Sequence, residues 1–190
     1  MPPVKKYERK EIIEAALRII EKDGASAVNA RRIAKELDCS VQPIFHNFAN
    51  MKELNDAVYM AMYEKYTEYM TANMDKEKPY KQMGLGYIKF AKEHPAFFKA
   101  IFMQPTRLDA KVFIMSDQLG EEVIRVGQEL TGLSYDEQKK FHVKVWIFTH
   151  GIACLLATRT IYMSDEEVEA TLEFTVREML IGFKVEEGIE

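Results

Sequence analysis

The sequence is poor in cysteine, glycine and proline, and it has no long apolar run. Its 190 residues include two cysteines, nine glycines and six prolines. Two cysteines are too few for a disulfide framework, which favours a reducing, cytoplasmic setting. No run reaches the roughly 18 apolar residues that a membrane span needs, and the first residues lack the pattern of a signal peptide. We therefore expect a cytoplasmic protein with no membrane partner.

The sequence also lacks the spacings that mark common metal and catalytic sites. The four histidines are scattered at His46, His94, His142 and His150, and neither Cys-x-x-Cys nor His-Glu-x-x-His occurs. Nucleophile elbows and phosphate-binding loops are absent as well. We expect no metal, no cofactor and no enzymatic activity, and a small helical enzyme stays open as an alternative.

Charge is distributed unevenly along the chain, whose net charge is −4. Residues 1–50 contain 9 Lys/Arg and 7 Asp/Glu, a net of +2, whereas the remainder contains 17 and 23, a net of −6. Such asymmetry is compatible with a DNA-facing end on an otherwise acidic protein. A solvated basic arm would give the same distribution.

Apolar residues recur at helical spacing along the whole chain, so we predict an all-α fold. The predicted helices are about 7–23, 30–37, 41–47, 51–74, 80–93, 95–103, 109–130, 134–160 and 164–184. Single side-chain caps are predicted at Asn29 and Ser40, and capping boxes at Asn50 with Glu53, Ser134 with Glu137, and Ser164 with Glu167.

The most informative segment is 29–48, where two short helices joined by a tight turn follow a longer helix. Apolar residues in it have the spacing of a small shared core, as at Ile33, Ala34 and Ile44. Polar and basic side chains are left for the outside. This is the layout of a helix-turn-helix, whose second helix enters the major groove of DNA. An ordinary small helical bundle has the same layout.

A set of residues in the first third of the chain resembles the N-terminal domain of TetR-type bacterial transcriptional regulators. The resemblance spans about residues 8–58 without a gap and is carried by Ile12, Ala15, Ala16, Gly24, Asn29, Arg31, Ile33, Ala34, Ser40, Phe45, His46, Asn47, Phe48 and Leu54. It implies a DNA-binding domain at 1–50 and a helical domain at 51–190 that binds a small molecule and dimerises, with a linking helix at about 51–74. The implied function is transcriptional regulation, typically as a repressor released from a palindromic operator by its ligand. A helical sensor or interaction protein with weak or lost DNA binding is the alternative.

The resemblance also implies which side chains face double-stranded DNA. Arg31 matches a position near the start of the second helix that often reads a base, and its guanidinium suits the two acceptors of guanine. Gln42 lies on the recognition helix and suits adenine. The predicted DNA-binding set is Asn29, Arg31, Arg32, Ser40, Val41, Gln42, Pro43, Phe45, His46, Asn47 and Lys52.

Three positions depart from the family pattern. Phe45 stands where a tyrosine is usual, Asn47 where a histidine is usual, and Met51 where a lysine is usual. The neighbouring cation, Lys52, points about 100° around the helix from Met51. Each lost phosphate contact should weaken binding and flatten its salt dependence.

The C-terminal part is rich in aromatic residues and methionine at helical spacing. This pattern is typical of a plain core and also of an adaptable apolar pocket. We predict an apolar or aromatic effector, bound between the fourth helix and the middle of the C-terminal domain. The predicted ligand-binding set is Tyr66, Tyr87, Phe90, Phe98, Phe102, Met103, Phe113, Trp146, Thr149 and His150.

The last two helices combine small residues with an apolar stripe, part of which must pack on its own chain. A two-fold dimer presents two recognition helices to half-sites about one turn of DNA apart. We therefore predict a homodimer. Its expected interface is Gly151, Leu155, Leu172, Val176, Met179 and Phe183.

Overall fold

The protein's fold is given by a computed structural model that describes residues 7–72, 79–105 and 120–189. Every regular element in these ranges is helical, so the predicted all-α class is confirmed. A 3-10 turn, Ala25–Ala27, joins the first two helices. The helices are α1 (Arg9–Asp23), α2 (Ala30–Glu36), α3 (Gln42–Asn47), α4 (Met51–Thr71), α5 (Pro79–Glu93), α6 (Pro95–Phe102), α7 (Gly120–Thr131), α8 (Tyr135–Ala157) and α9 (Asp165–Glu187).

Side chains cap most of the helix starts that the sequence predicts. Full capping boxes begin α8 at Ser134 and α9 at Ser164. The side-chain oxygen of Asn29 accepts a hydrogen bond from the backbone amide of Arg32. The predicted cap at Ser40 is wrong. Val41 is the N-cap of α3, with a near-helical backbone (φ −73°, ψ −12°) and no side-chain cap. The helix therefore begins later than predicted, and Ser40 lies outside it.

The chain divides into two compact units. The first unit comprises Met1–Glu68 with His94–Gln104, and the second comprises Tyr69–Glu93 with Pro105–Glu190. Helix α4 therefore begins in the first unit and ends in the second. The short helix α6 belongs to the first unit, although α5 before it belongs to the second.

The core of the first unit is formed by the apolar faces of α1, α2 and α3. Ile12, Ile33, Ile44 and Phe48 are all fully or almost fully buried there, in agreement with the predicted shared core. Helix α6 packs on α1.

The second unit is built around α8, which contacts α5, α7 and α9. Its buried residues include Phe141, Val145 and Phe183. Gly86 lets the last turn of α4 approach α5, because a Cβ at this position would lie 2.3 Å from the backbone oxygen of Tyr69. The first half of the predicted helix 109–130 lies outside the described residues.

Candidate DNA-binding and effector sites

Helices α2 and α3 are held in a fixed arrangement by the turn between them. Asp38 has a left-handed backbone (φ 51°) at this turn, a conformation that aspartate tolerates better than most residues. The amide of Cys39 donates to the oxygen of Ala34 at 2.9 Å. Because Ile44 is buried, the opposite side of α3 faces outward.

The residues just before and inside α1 brace this arrangement. The Tyr7 side chain is almost buried, and its hydroxyl donates to the oxygen of Leu37 at the end of α2. The Arg9 guanidinium lies 4.0 Å above the ring of Phe48. It donates at 2.8 Å to the oxygen of Asn47 and at 2.8 Å to the Glu53 carboxylate. These contacts join residues 30 to 44 positions apart, so local sequence patterns do not predict them.

Asn47, a member of the predicted DNA-binding set, is hydrogen-bonded within the first unit. Its side-chain nitrogen Nδ2 donates to the oxygen of Tyr7 at 3.1 Å and to the oxygen of Pro43 at 2.9 Å. An amide nitrogen has two hydrogens to donate, and both are used within the first unit. The contacts fix the end of α3 to the segment that precedes α1.

The cations near α3 differ in how far they are already paired. Arg31 is exposed and has no hydrogen-bond or ion-pair partner among the described residues. Arg32 is paired with Asp23. The Lys52 ammonium lies 2.6 Å from the Asp56 carboxylate, and this hydrogen bond and charge raise the pKa of Lys52. Of these three cations, Arg31 is the one that is not paired within the described residues.

The outward side of α3 combines polar and apolar side chains. Gln42 and His46 are exposed, and so are the large apolar residues Val41 and Phe45, at 39% and 46%. Apolar side chains such as Val41 and Phe45 can contact the methyl group of thymine. Ser40 is exposed next to them, and Pro43 is half-buried.

The predicted effector-binding residues divide between the two units. Tyr66, Phe98 and Phe102 pack together in the first unit, with ring centroids 5.1 Å apart between Tyr66 and Phe102 and 5.3 Å apart between Phe98 and Phe102. Met103 is exposed at the end of α6. Phe113 lies outside the described residues.

The predicted residues of the second unit include a compact cluster on α5 and α8. The Tyr87 hydroxyl lies 2.9 Å from Nδ1 of His150, and the Trp146 ring stacks on the His150 ring. Phe90 is buried against Tyr69 at a ring distance of 5.6 Å. These residues are therefore joined by ring contacts and a hydrogen bond within their own unit.

A cavity of about 440 Å³ lies in the second unit between α5, α7, α8 and α9. This volume falls within the range of small-molecule sites, roughly 300–1,000 Å³. Of the predicted effector residues, Thr149 contributes to its wall. Sequence analysis missed the others because the wall is assembled from four helices. The cavity is lined by Lys81, Gly84, Gly127, Leu130, Thr131, Phe141, Val145, Thr149, Leu172, Glu173, Val176, Arg177 and Leu180.

Lys81 provides a fixed charge at this cavity. Its ammonium lies 2.7 Å from the Glu169 carboxylate and 2.8 Å from the Glu173 carboxylate. These two hydrogen bonds raise the pKa of Lys81. Most of the remaining wall is apolar, so the cavity suits a largely apolar molecule with few polar groups.

Helices α8 and α9 each carry a row of exposed apolar residues, and we call the two rows together the α8–α9 face. It consists of Ile147, Gly151, Leu155, Phe174, Ile181 and Val185. Its large side chains are 41–77% exposed.

The predicted interface coincides with this face only in part. Gly151 and Leu155 belong to it. Leu172 and Phe183 are 5% and 3% exposed, so they pack within their own unit, and Val176 and Met179 lie half-buried beside them. Periodicity did not distinguish the two apolar sides of α9.

Residues 7–72, 79–105 and 120–189 lack two other kinds of feature. None of their helices is long and apolar enough to cross a bilayer. In the same parts of the chain, no group of three or more histidine, cysteine, aspartate or glutamate side chains is placed to hold a metal ion.

These features define a class of protein. The first unit is a braced helix-turn-helix that exposes one side of α3 and the guanidinium of Arg31, and the second is a helical unit with an apolar cavity. Residues 12–58 match the family model described as "Bacterial regulatory proteins, tetR family", and residues 80–179 match the one described as "Tetracyclin repressor-like, C-terminal domain". Since the second match alone spans more than half of the chain, this protein belongs to the tetracycline repressor family. The resemblance predicted from the sequence is confirmed, and the protein is a DNA-binding transcriptional regulator.

Individual relatives agree with this assignment. The chain is 22% identical over 183 residues to the uncharacterized HTH-type transcriptional regulator YobS of Bacillus subtilis, with 93% of each chain covered. Its fold is similar to that of a TetR-like transcriptional regulator from Rhodococcus, with a TM-score of 0.67, 14% identity and coverage of 95% and 100%. It is also similar to a TetR variant from Acinetobacter baumannii crystallised with minocycline, with a TM-score of 0.57, 14% identity and coverage of 94% and 97%.

Proposed function

We propose that this protein is a homodimeric repressor that binds a palindromic operator and leaves it when an apolar or aromatic small molecule binds the second unit. The observation that carries the proposal is the exposed side of α3, together with the exposed guanidinium of Arg31 near the start of α2. A regulator of this kind works on chromosomal DNA, so we propose a cytoplasmic location. We propose no enzymatic activity, since the family is one of regulators.

We assign the recognition of DNA bases to side chains that are exposed and that form no hydrogen bond or ion pair within the described residues. Arg31 and Gln42 have groups that match guanine and adenine in the major groove. Val41 and Phe45 supply apolar contact to thymine methyl groups. Asn29, Arg32 and Asn47 hold the helices in place through their own hydrogen bonds, so they position the reading residues.

Dimerisation is assigned to the α8–α9 face, with a second copy of the chain as the partner. Large apolar side chains concentrated on one surface usually mark a protein interface. A two-fold axis through this face would give the two recognition helices the symmetry of a palindromic site. Gly151 and Gly182 support close approach, because a Cβ at either position would meet no atom within 4 Å.

The effector site is assigned to the 440 Å³ cavity of the second unit. Its location differs from the expectation, which placed the effector beside α4, because α5, α7, α8 and α9 form its walls. The TetR variant from Acinetobacter baumannii was crystallised with minocycline, which supports a small-molecule effector for this chain.

Helix α4 offers a covalent route between effector and DNA. It runs without interruption from the first unit into the second, and its 21 residues extend about 32 Å at 1.5 Å per residue. A ligand that prefers one conformation of the second unit shifts the population toward it. Half-sites about 34–36 Å apart would then no longer match the recognition helices. Coupling of about 1–3 kcal/mol corresponds to roughly 5–150-fold weaker DNA binding.

The test of DNA recognition is selection of random duplexes on the purified protein. We expect enrichment of a palindrome, and we expect Arg31→Ala to lose about 1–3 kcal/mol of preference for the cognate base. Arg31→Lys keeps the charge without the planar fork and should lose the same preference. Lys52→Ala is the control and should weaken all sequences alike. Absence of an enriched palindrome would contradict the proposal.

The test of the dimer is the mass in solution at micromolar concentration. Phe174→Glu places an unpaired charge in the α8–α9 face and should give monomers, because burying such a charge is costly. Met60→Glu is the matched control, since Met60 is 47% exposed on α4, and it should stay dimeric. A monomeric unmodified protein would refute the dimer.

A further inference from the structure

Three polar side chains of the second unit form a hydrogen-bonded series between α5 and α8. The Tyr87 hydroxyl lies 2.9 Å from Nδ1 of His150. The other ring nitrogen of His150, Nε2, lies 3.2 Å from the sulfur of Cys154. A nucleophile, a base and a group that orients the base are the parts of an activated nucleophile.

The sequence spacing on α8 produces this alignment. Trp146, His150 and Cys154 follow one another at intervals of four residues, so they lie one helical turn apart along one side. The Trp146 ring stacks on the His150 ring at a centroid distance of 4.5 Å and an angle of 9°. Tyr87 is 3% exposed and therefore fixed in position. The indole and the phenol together hold Nε2 toward the thiol.

Burial determines the resting charge of the pair. It raises the pKa of the Cys154 thiol and lowers the pKa of His150. Helix α8 ends at Ala157, and the negative end of its dipole also disfavours a thiolate. The resting pair is therefore neutral, and the role proposed below for His150 requires the tautomer in which Cys154 donates to Nε2 and Nδ1 donates to Tyr87. Such a thiol needs its base at the moment of attack.

We propose that Cys154 is a covalent binding site for a soft electrophile of the α,β-unsaturated carbonyl class, with His150 as the base and Tyr87 as a positioning residue. The sulfur bonds to the β-carbon while its proton moves to Nε2. The carbon–carbon π pair moves toward the carbonyl as an enolate, which then takes the proton back from the imidazolium. Nothing is oxidised or reduced, and no group leaves.

One observation favours this chemistry over disulfide formation. A disulfide needs a second thiol, and the structure pairs Cys154 with no other cysteine. Addition to an activated double bond needs neither a second thiol nor an oxidant.

The position of Cys154 suggests what an adduct would do. Seen from Gly151 down the helix axis, Leu155 lies about 40° to one side and Cys154 about 60° to the other. Cys154 is half-exposed, so it lies at the edge of the α8–α9 face. An adduct there adds bulk beside the interface and should weaken DNA binding. This consequence, unlike the adduct itself, rests on the proposed function.

The first experiment measures adduct formation with N-phenylmaleimide by intact mass over time. Cys39→Ser leaves Cys154 as the one thiol, and Cys154→Ser leaves Cys39. We expect Cys154 to react faster than Cys39. We also expect His150→Gln, in the Cys39→Ser background, to slow the reaction about 100-fold, as loss of a positioned base does, and Tyr87→Phe to slow it by a smaller factor. An unchanged rate in His150→Gln would overturn the proposal.

The pH profile separates a base from a merely structural histidine. Above the pKa of the thiol, Cys154 ionises without help, so the difference between the Cys39→Ser protein and its His150→Gln derivative should vanish. A difference that persists unchanged at high pH would contradict the assignment of His150 as the base. If His150→Gln does not fold, the same comparison is made with Tyr87→Phe, where a rate equal to that of the parent overturns the series.

The last experiment titrates the selected operator with the Cys39→Ser protein before and after modification. We expect about 5–150-fold weaker binding after modification, and no change in Cys154→Ser treated in the same way. An adduct without loss of affinity would overturn the regulatory consequence alone. Absence of operator binding by the unmodified protein would overturn the proposed function, while the adduct kinetics would still decide the thiol site.

Discussion

Gly84 and Gly86 lie two residues apart in α5, and replacing each with alanine should have different effects on stability. Both are interior helical positions, where alanine is better than glycine by about 0.8–1.0 kcal/mol. A Cβ at residue 84 would meet Leu172 at 3.9 Å, an ordinary contact. A Cβ at residue 86 would lie 2.3 Å from the backbone oxygen of Tyr69 and 3.4 Å from the Cα of Met70.

The size of the stability difference between the two variants depends on which atoms must move. The atoms nearest to the new methyl group are backbone atoms of Tyr69 and Met70. Because no side-chain rotation can relieve this overlap, α4 and α5 must move apart. Overpacking of this kind costs about 1–3 kcal/mol. Because the helix-propensity gain is the same at both positions, this cost is also the expected difference between Gly84→Ala and Gly86→Ala.

The assay is thermal and urea unfolding of the two variants at one protein concentration. For a chain of this length, about 1 kcal/mol shifts the melting temperature by roughly 2–4 °C. Gly84→Ala should melt above the parent, and Gly86→Ala should melt below Gly84→Ala by roughly 2–12 °C. Equal melting temperatures for the two variants would refute the close approach of α4 to α5.

Two further predictions concern hydrogen bonding and pH. Asn47→Ala removes the hydrogen bonds to Tyr7 and Pro43, so it should lower the free energy of unfolding by about 1–2 kcal/mol. It should also weaken DNA binding without changing the preferred bases. A changed base preference in duplex selection would contradict the positioning role of Asn47. Burial lowers the pKa of His150, so below about pH 6.5 the unfolded chain takes up a proton that the folded chain does not. The parent should therefore lose stability relative to His150→Gln as the pH falls from 7 to 5, and parallel urea-unfolding midpoints across that range would count against the lowered pKa.

Features that depend on neighbouring residues were predictable from the sequence. The capping boxes at Ser134 and Ser164 join groups three residues apart, and the helix-turn-helix core repeats at helical spacing. The misplaced cap at Ser40 shows the limit of this approach. In the structure the α3 backbone is already close to helical at Val41, and the buried side of Ile44 orients the helix.

The sequence by itself determined the all-α class, the family and the segment that carries α3, because local hydrogen bonds and periodic apolar faces are written into consecutive residues. Only the tertiary structure decided which chemistry-bearing side chains remain available. Asn47 is engaged by Tyr7, 40 positions away, whereas Arg31 is left without a partner in the described ranges. It also decided that Phe174 rather than Leu172 is exposed on α9. Helical periodicity shows that a face is apolar, but the neighbouring helices determine whether that face is covered.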